Sequence, residues 1–417
     1  MRSWIEVSEA ALAGNLQALR QTCGPETEVL SVVKANAYGH GAEVCAQALA
    51  RAGARWFGVT DAAEGARVRV ALNRAHPGRT AEIVVMCGCL PEETALVAEH
   101  ALTPVVWTTG QIAALRSLQE PRVQIEIDTG MSRQGVAPGY ELDGLLAEVC
   151  AAGMTLDGVF THLASAEMSE SSLTRLQRQR FERAVEQVRA RGMRPNWLHI
   201  GNSSSLDNVI DADPISSWLA QLAARAGARA MVRSGLALYG YTLGIEHGTA
   251  APLVPPAPGV ERTRPPAALR PRLTPVLTWK TRILSVRSLA VGDTVGYGAT
   301  FTAHRAMRVA LLPVGYADGL RRELSNPAPL AGTGRAGVPA GGWVIAEAAD
   351  GSRQRCAILG RLSMNLTVVD ISAVPTLAAG DPVTVLGPGS TAEDHARLAG
   401  TIPYEILCGL RAPSHLI

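Results

Sequence analysis

Val32-Val33-Lys34-Ala35-Asn36-Ala37-Tyr38-Gly39-His40-Gly41 is the stretch on which the reading of this chain turns. Val29 and Leu30 lead into it with only Ser31 between, so an apolar strand runs into a turn rich in Gly, Asn and Tyr. Residues 42–54 then carry the periodicity of a helix. A lysine at the C-terminal tip of a buried strand is costly, because a charged amine loses its hydration there. Of the 39 basic residues only Lys34 and Lys280 are lysine; all the others are arginine. Arginine keeps its proton, whereas a desolvated lysine can release it and form a Schiff base with a carbonyl cofactor. An ion pair at a barrel mouth also accommodates a lone lysine, so the surrounding residues have to decide.

Outward from this stretch, short apolar strands at 29–33, 56–60, 82–86, 103–107, 123–128, 156–161, 197–200 and 230–233 alternate with helical segments, clearest at 173–191. Eight parallel strands with intervening helices predict an α/β fold, a (β/α)8 TIM-type barrel, although a doubly wound sheet shares the alternation. Barrel chemistry sits on the C-terminal ends of strands, and this chain's unusual residues fall there. Lys34 ends the first strand, Asp128-Thr129-Gly130-Met131-Ser132-Arg133 the fifth, and His162 the sixth. Asn202-Ser203 follows the seventh, and Arg233-Ser234-Gly235 the eighth. The last two loops suit a phosphate, with Ser203, Gly235 and Leu236 placed to donate hydrogen bonds. In the fifth strand, period-two alternation sets Gln124, Glu126 and Asp128 on one face, so Glu126 is expected to point into the barrel.

A chain of 417 residues with 47% hydrophobic residues suggests two domains with large cores. A net charge of +2 and a pI near 8.2 leave no basic footprint for nucleic acid or membrane. The seven cysteines are odd in number and lack zinc-ribbon spacing, so no metal is assigned. Cys87-Gly88-Cys89, the one close pair, reads as buried thiols at a strand end. The first six residues lack an apolar signal core and no apolar run is long enough to span a bilayer, so a cytoplasmic protein with reduced thiols is expected. Residues 250–272 hold seven of the 25 prolines and read as an exposed connector. A Gly/Ala/Arg-rich interruption at 330–355 reads as a widened loop. Beyond Arg272 the pattern is β, with strands expected at 276–286, 308–314, 355–358, 366–371 and 381–386. The expected organisation is a barrel at 1–243, a Pro-rich linker or insertion at 244–272, and a mainly β C-terminal domain at 273–417.

The segment Lys34 to Gly41 resembles the pyridoxal-phosphate attachment segment of bacterial alanine racemases. The resemblance extends to Asp128–Arg133, to Arg233-x-Gly235-x-x-x-Tyr239-Gly240, and to Val295-Gly296-Tyr297-Gly298-Ala299-Thr300-Phe301. It continues through Pro313-Val314-Gly315-Tyr316-Ala317-Asp318-Gly319, Gly360-Arg361-Leu362-Ser363-Met364-Asn365 and Ile402-Pro403-Tyr404-Glu405. It covers nearly the whole chain apart from the two insertions and residues 214–227. It implies pyridoxal 5'-phosphate on Lys34, its phosphate held by Ser203, the backbone of Gly235 and Leu236, and the hydroxyls of Tyr38 and Tyr404. It implies Arg233 at the pyridine nitrogen, where an arginine restrains the cofactor as an electron sink, and His162 beside the ring in a hydrogen-bond chain with Arg233. Arg133 would hold the substrate carboxylate, Met364 would contact it through its backbone, and Tyr316 and Tyr404 would narrow the approach. Tyr297 would be the second base, facing the substrate opposite Lys34 and supplied by the other chain of a homodimer with shared active sites. Residues 4–7 would add a strand to the β domain. The implied activity is interconversion of L-alanine and D-alanine by two-base proton transfer on a pyridoxal-phosphate aldimine, supplying D-alanine for peptidoglycan.

Two positions depart from that family. Many alanine racemases carry a lysine two residues before the Asp-Thr-Gly segment, carbamylated to an anion that holds the substrate-binding arginine; here the position is Glu126, expected to supply the charge without modification and to orient Arg133, directly or through a water or a backbone shift. Asn365 stands where an aspartate is usual. Competing readings are a racemase of wider range, acting on serine or larger amino acids, and a non-catalytic pyridoxal-phosphate carrier built on the barrel alone. Tyr404 and Met364 argue for a small pocket, and the β domain argues against the carrier. Pyridoxal-dependent decarboxylases share the architecture, but Arg233 and the Tyr297 segment fit them poorly.

Overall fold

Strand β1 (Ser3–Val7) is followed by eight that close into a parallel barrel: β2 (Thr27–Val32), β3 (Trp56–Val59), β4 (Glu82–Val85), β5 (Thr103–Val106), β6 (Arg122–Glu126), β7 (Thr155–Phe160), β8 (Trp197–His199) and β9 (Arg229–Ser234). The computed structural model describes residues 1–75, 81–119, 121–168, 171–208, 214–245, 269–326, 341–348 and 350–417. The chain divides into two compact units. One comprises Glu9–Ala37 and Ala42–Pro275; the other comprises Met1–Ser8, Tyr38–Gly41 and Val276–Ile417.

In the first unit β2 pairs with both β3 and β9, which closes the ring and decides for the barrel over the open sheet. The strands are short, nearly continuous apolar runs because both faces are covered, by the helices outside and by packed side chains within. Helix Ser172–Ala190 illustrates the outer layer: Ser171 caps it by accepting the Thr174 N–H at 3.0 Å, and Phe181, Ala184, Val185 and Val188 form its buried stripe. Helix Glu9–Cys23 is fixed by one buried polar residue. Asn15 donates to Leu238 O at 2.9 Å and Thr274 O at 2.8 Å, and accepts from Thr274 N at 2.9 Å.

The second unit is mainly β. A six-stranded sheet runs in the order Arg353–Ala357, Trp343–Glu347, Pro382–Leu386, β10 (Leu277–Arg282), β1, Ser414–Leu416. A three-stranded sheet joins Ser285–Leu289, Met307–Leu312 and Thr367–Asp370. The strand expected at 276–286 is two strands in different sheets. At the corner Ile283 N bonds Asp381 O while the next amide, Leu284 N, bonds Leu311 O, so adjacent residues serve different sheets. The loop expected at 330–355 contains the strand Trp343–Glu347, whose Trp, Val and Ile suit a buried ladder; residues 327–340 and 349 lie outside the described residues. So does most of the proline-rich stretch, residues 246–268.

All seven cysteines are free thiols, and the pair after β4 is split: Cys89 is buried but Cys87 is exposed, not buried as its apolar lead-in suggested. Gly88 between them has φ +84°, which turns the chain just beyond the strand. Among the described residues no helix is long and apolar enough to cross a membrane.

Asn15→Leu keeps the side-chain size but leaves two carbonyls and one N–H unpaired in a buried place. It should lower stability by on the order of 3 kcal/mol, read from the urea midpoint of the apoprotein; a loss below about 1 kcal/mol would show that Asn15 does not fix the first helix.

Candidate active site

Lys34 stands at the C-terminal end of β2, half-buried, after Val33 N has bonded Gly58 O at 2.9 Å on the neighbouring strand. The next four residues are left-handed: Ala35, Asn36, Ala37 and Tyr38 have φ of 52°, 55°, 54° and 53°. None is glycine, and each such residue costs roughly 1–2 kcal/mol. Within the barrel unit the turn is tied by Ala37 N to Val33 O at 2.8 Å, and by Asn36, whose Oδ1 accepts Ala42 N at 2.9 Å. Asn36 N donates to Glu64 Oε1 at 3.1 Å.

At the ends of β7 and β9 a buried cation is built into the barrel. Arg233 donates from Nη2 to Thr161 O at 2.8 Å and to His162 Nδ1 at 3.2 Å, and its guanidinium lies over the Phe160 ring, 4.6 Å from the centroid. Burial holds its pKa down to about 10, opposed by Glu126 and aided by Arg133, so it stays protonated at neutral pH. Its Nη1 is buried and has no partner among the described residues. His162 is pushed down to about 3, first by burial and then by Arg233, Arg133 and Lys34. A neutral imidazole that takes a proton donor on Nδ1 carries its own hydrogen on Nε2.

Gln177 was not singled out from the sequence, yet it joins the two neighbouring loops. Its Nε2 donates to Thr129 Oγ1 at 3.0 Å and His162 O at 2.8 Å, while its Oε1 accepts Ala164 N at 3.0 Å. Thr129 Oγ1 and Thr161 Oγ1 are 2.7 Å apart. A glutamine in an amphipathic helix carries no sequence signal that separates this from a solvated residue.

The loop after β6 is organised by Asp128, whose Oδ1 accepts the N–H groups of Gly130, Met131 and Ser132 at 2.9, 3.1 and 3.0 Å. That fixes the backbone carrying Arg133, an exposed side chain with no hydrogen bond or ion pair among the described residues. Glu126 is buried and points into the barrel as the alternation required. Its hydrogen bond comes from Gln134 Nε2, which also donates to Met86 O at 3.1 Å, and not from Arg133. Burial raises the Glu126 carboxyl above its ordinary range; the Gln134 amide, Arg233 and Arg133 oppose that rise.

Ser203, the first residue of the short helix Ser203–Asp207 that follows the β8 loop, accepts Ala237 N at 3.1 Å through its Oγ, which lies 3.4 Å from Ser234 Oγ. The β8 and β9 loops therefore meet, with Gly235 and the buried Leu236 between these residues.

In the other unit Tyr38 and Tyr404 lie with ring centroids 5.7 Å apart, and burial, then the neighbouring Tyr404 and Cys408, keep the Tyr38 phenol protonated. Gly39 is required there: a Cβ would stand 2.0 Å from Leu407 O. Tyr297 heads a tight turn between the paired strands Thr294–Val295 and Phe301–Thr302, and is 69% exposed. The strand residues Val295 and Phe301 belong to a buried apolar cluster with Met307 and Leu359. Tyr316 and Met364 are exposed on two touching loops, joined by Tyr316 N to Ser363 O at 3.2 Å and Ala317 N to Met364 O at 2.9 Å. Asn365 Nδ2 donates to Asp318 Oδ2 at 3.3 Å.

Comparison with known proteins gives one answer throughout. Residues 7–243 match the family model for the alanine racemase N-terminal domain, and residues 276–416 that for the alanine racemase C-terminal domain. The chain is 34% identical to an alanine racemase of Symbiobacterium thermophilum over 98% of its own length and 94% of the relative's. It is 32% identical to one of Nostoc sp., again over 98% and 94% of the two chains. Among solved structures it is similar to the alanine racemase of Streptomyces coelicolor (29% identity, TM-score 0.75, 100% and 98% covered). It is also similar to that of Bartonella henselae with covalently bound pyridoxal phosphate (25% identity, TM-score 0.73, both chains fully covered).

Because His162 sits near 3 when folded and near its ordinary 6.5 when unfolded, the unfolded chain binds a proton between those values that the native chain refuses. Its neutral-state stabilisation is complete above about pH 6.5 and is lost as the pH falls toward 3, by up to about 1.4 kcal/mol per pH unit. Imidazole NMR should find His162 neutral at pH 5; a titration midpoint near 6.5 would contradict the Arg233 contact.

Proposed function

The chain belongs to the alanine racemase family, and from that premise we propose how its residues divide the work. The family makes it a pyridoxal-phosphate-dependent isomerase that interconverts L-alanine and D-alanine. The observation that best supports the assignment below is the buried Nη1 of Arg233, which has no partner among the described residues and is a fixed donor suited to a ring nitrogen. When bound, pyridoxal phosphate supplies a conjugated ring that withdraws electrons from the Cα–H bond of the amino acid.

Lys34 anchors the cofactor. Ser203 with the backbone N–H groups of Gly235 and Leu236, and the phenols of Tyr38 and Tyr404, would hold its phosphate. Arg233 keeps its own proton and would offer one hydrogen bond to the ring nitrogen, so that this nitrogen would need no proton of its own. That would limit electron withdrawal and favour return of a proton to Cα over loss of the amino group. His162, neutral, accepts from the guanidinium and so fixes its tilt, and would lie beside the ring. Arg133 orients the substrate carboxylate, which the Met364 backbone also contacts, while Tyr316 and Tyr404 keep the pocket small.

Inversion at Cα needs a proton removed on one face and another delivered on the opposite face, which two bases on opposite sides accomplish without the substrate turning over. Lys34 Nζ serves one face and Tyr297 Oη of the partner subunit serves the other, in a homodimer with shared sites. The exposure of Tyr297, Tyr316 and Met364 on the isolated chain supports a role toward a second copy. The cytoplasm is the compartment we assign.

Chiral chromatography with D- and L-alanine against serine, with and without pyridoxal phosphate, tests the function. Lys34→Ala and Tyr297→Phe should each be inactive as homodimers. Verified heterodimers of the two should regain activity, because one of their two sites is intact; persistently inactive heterodimers would remove the shared-site arrangement.

Glu126 supplies the negative charge near Arg133 without carbon dioxide, acting through Gln134, the residue next to Arg133. Activity should survive thorough removal of bicarbonate. Glu126→Gln should raise KM for alanine about tenfold, the loss of one charge-assisted hydrogen bond, with a smaller change in kcat. Strong bicarbonate dependence of the unsubstituted protein, or an unaltered KM in the variant, would take Glu126 out of this role.

A further inference from the structure

We propose that Glu64 is a positioning residue for Lys34: its buried carboxylate clamps the left-handed turn that aims the lysine. Glu64 lies in the first turn of helix Ala62–Ala75 and is only 5% exposed. Its two oxygens accept two backbone N–H groups from different places. Oε1 takes Asn36 N at 3.1 Å, inside the left-handed turn, and Oε2 takes Thr60 N at 2.8 Å, just past the end of β3. Its own N–H donates to Asp61 Oδ1 at 2.7 Å, which fixes where the side chain starts. Among the described residues no cation pairs with it. A buried carboxylate without a counter-charge is costly unless hydrogen bonds replace its hydration, and here both of its oxygens are spent on backbone.

The turn needs an outside restraint because its residues do not supply one. Ala35, Asn36 and Ala37 hold φ near +53° without being glycine, so each prefers another conformation. The Asn36 N–H points out of the turn, and Glu64 gives it an acceptor on the neighbouring βα unit. Lys34 immediately precedes the first left-handed residue, so relaxation of the turn swings the direction of its amine while leaving the amine in place. The expected consequence of losing Glu64 is a lysine that is present but misdirected.

The inference rests on the reading of Lys34 as the cofactor lysine. It is tested on the full chain with Glu64→Gln, which keeps the size but turns an amide NH2 toward one of the two N–H donors. Hydrogen-exchange mass spectrometry of the apoprotein should find exchange at residues 35–37 faster by about tenfold or more, with β5 to β7 unchanged. The apparent affinity for pyridoxal phosphate should fall by a similar factor, and kcat should fall while KM for alanine moves less than about threefold. Adding Ala35→Gly, which accepts the positive φ freely, should restore at least part of the affinity. A residue that merely supports folding would not be rescued in this way. Unchanged exchange and affinity in Glu64→Gln, or a loss that glycine does not rescue and that spreads to β5–β7, would overturn the proposal. So would rapid exchange of the Asn36 and Thr60 amides in the unsubstituted apoprotein, a measurement that stands even where the variant fails to fold. If the unsubstituted chain takes up no pyridoxal phosphate at Lys34, the functional reading fails, and the clamp is then judged on exchange alone.

Discussion

The barrel end is arranged around the buried charge of Arg233. A guanidinium removed from water is tolerated only where its N–H groups and its charge are met. Here a carbonyl at Thr161, an imidazole nitrogen at His162, the face of Phe160 and the more distant carboxylate of Glu126 meet them in part. The arrangement dictates the state of its neighbours. His162 must be neutral, since an imidazolium there would be buried and would face the positive charges of Arg233, Arg133 and Lys34. Its neutral form must place the free lone pair on Nδ1, because arginine can only donate. One buried charge therefore settles the protonation, the tautomer and the orientation of the next residue in line.

A second constraint acts on Lys34. Closure of the barrel brings the ends of β2, β3 and β9 side by side, so residues distant in sequence share one rim. That adjacency lets a helix following β3 restrain a turn following β2, and lets Gln177 join the loops after β6 and β7. Strain at the lysine is thus balanced by contacts from neighbouring βα units, which the barrel places within reach. A site built on strand ends gains precision in this way, because its loops are short and mutually bonded.

The barrel was legible because its eight strands are apolar runs punctuated by turns, and because residues that can do chemistry fall at strand ends. Lys34 stood out through the scarcity of lysine, and Glu126 faced inward as strand alternation required. What escaped was whatever depends on contacts across the fold. Gln177 and Glu64 are ordinary residues in amphipathic helices, and nothing local marks their long-range bonds. The strand Trp343–Glu347 was hidden because the Gly/Ala-rich residues before it read as loop, and the sheet switch at Ile283 because one apolar run serves two sheets. The hydrogen-bond partner of Glu126 could not be read from the sequence: the loop after β6 turns back so that residue 134 faces it and residue 133 faces outward.

The two positions where the chain departs from its family are each matched by a neighbour of complementary hydrogen-bonding character. Asp318 Oδ2 already accepts Gly315 N at 2.9 Å, and Asn365 brings it a second donor. An aspartate at 365 would set two carboxylates against each other, and one of them would have to protonate or turn away. At Glu126 the neighbour is an amide whose Nε2 can donate to the carboxylate and to Met86 O together. A carbamylated lysine reaches further from the backbone than glutamate does, so the shorter anion needs an intermediary, and Gln134 has the length and the donor for it. Because Gln134 adjoins Arg133, and Val136 N returns to Glu126 O at 2.9 Å while Asp128 N bonds Val136 O at 2.9 Å, the anion and the arginine are coupled through a closed loop of backbone. Under the proposed role of Glu126, the relation between anion and arginine runs through this loop and not through a direct ion pair.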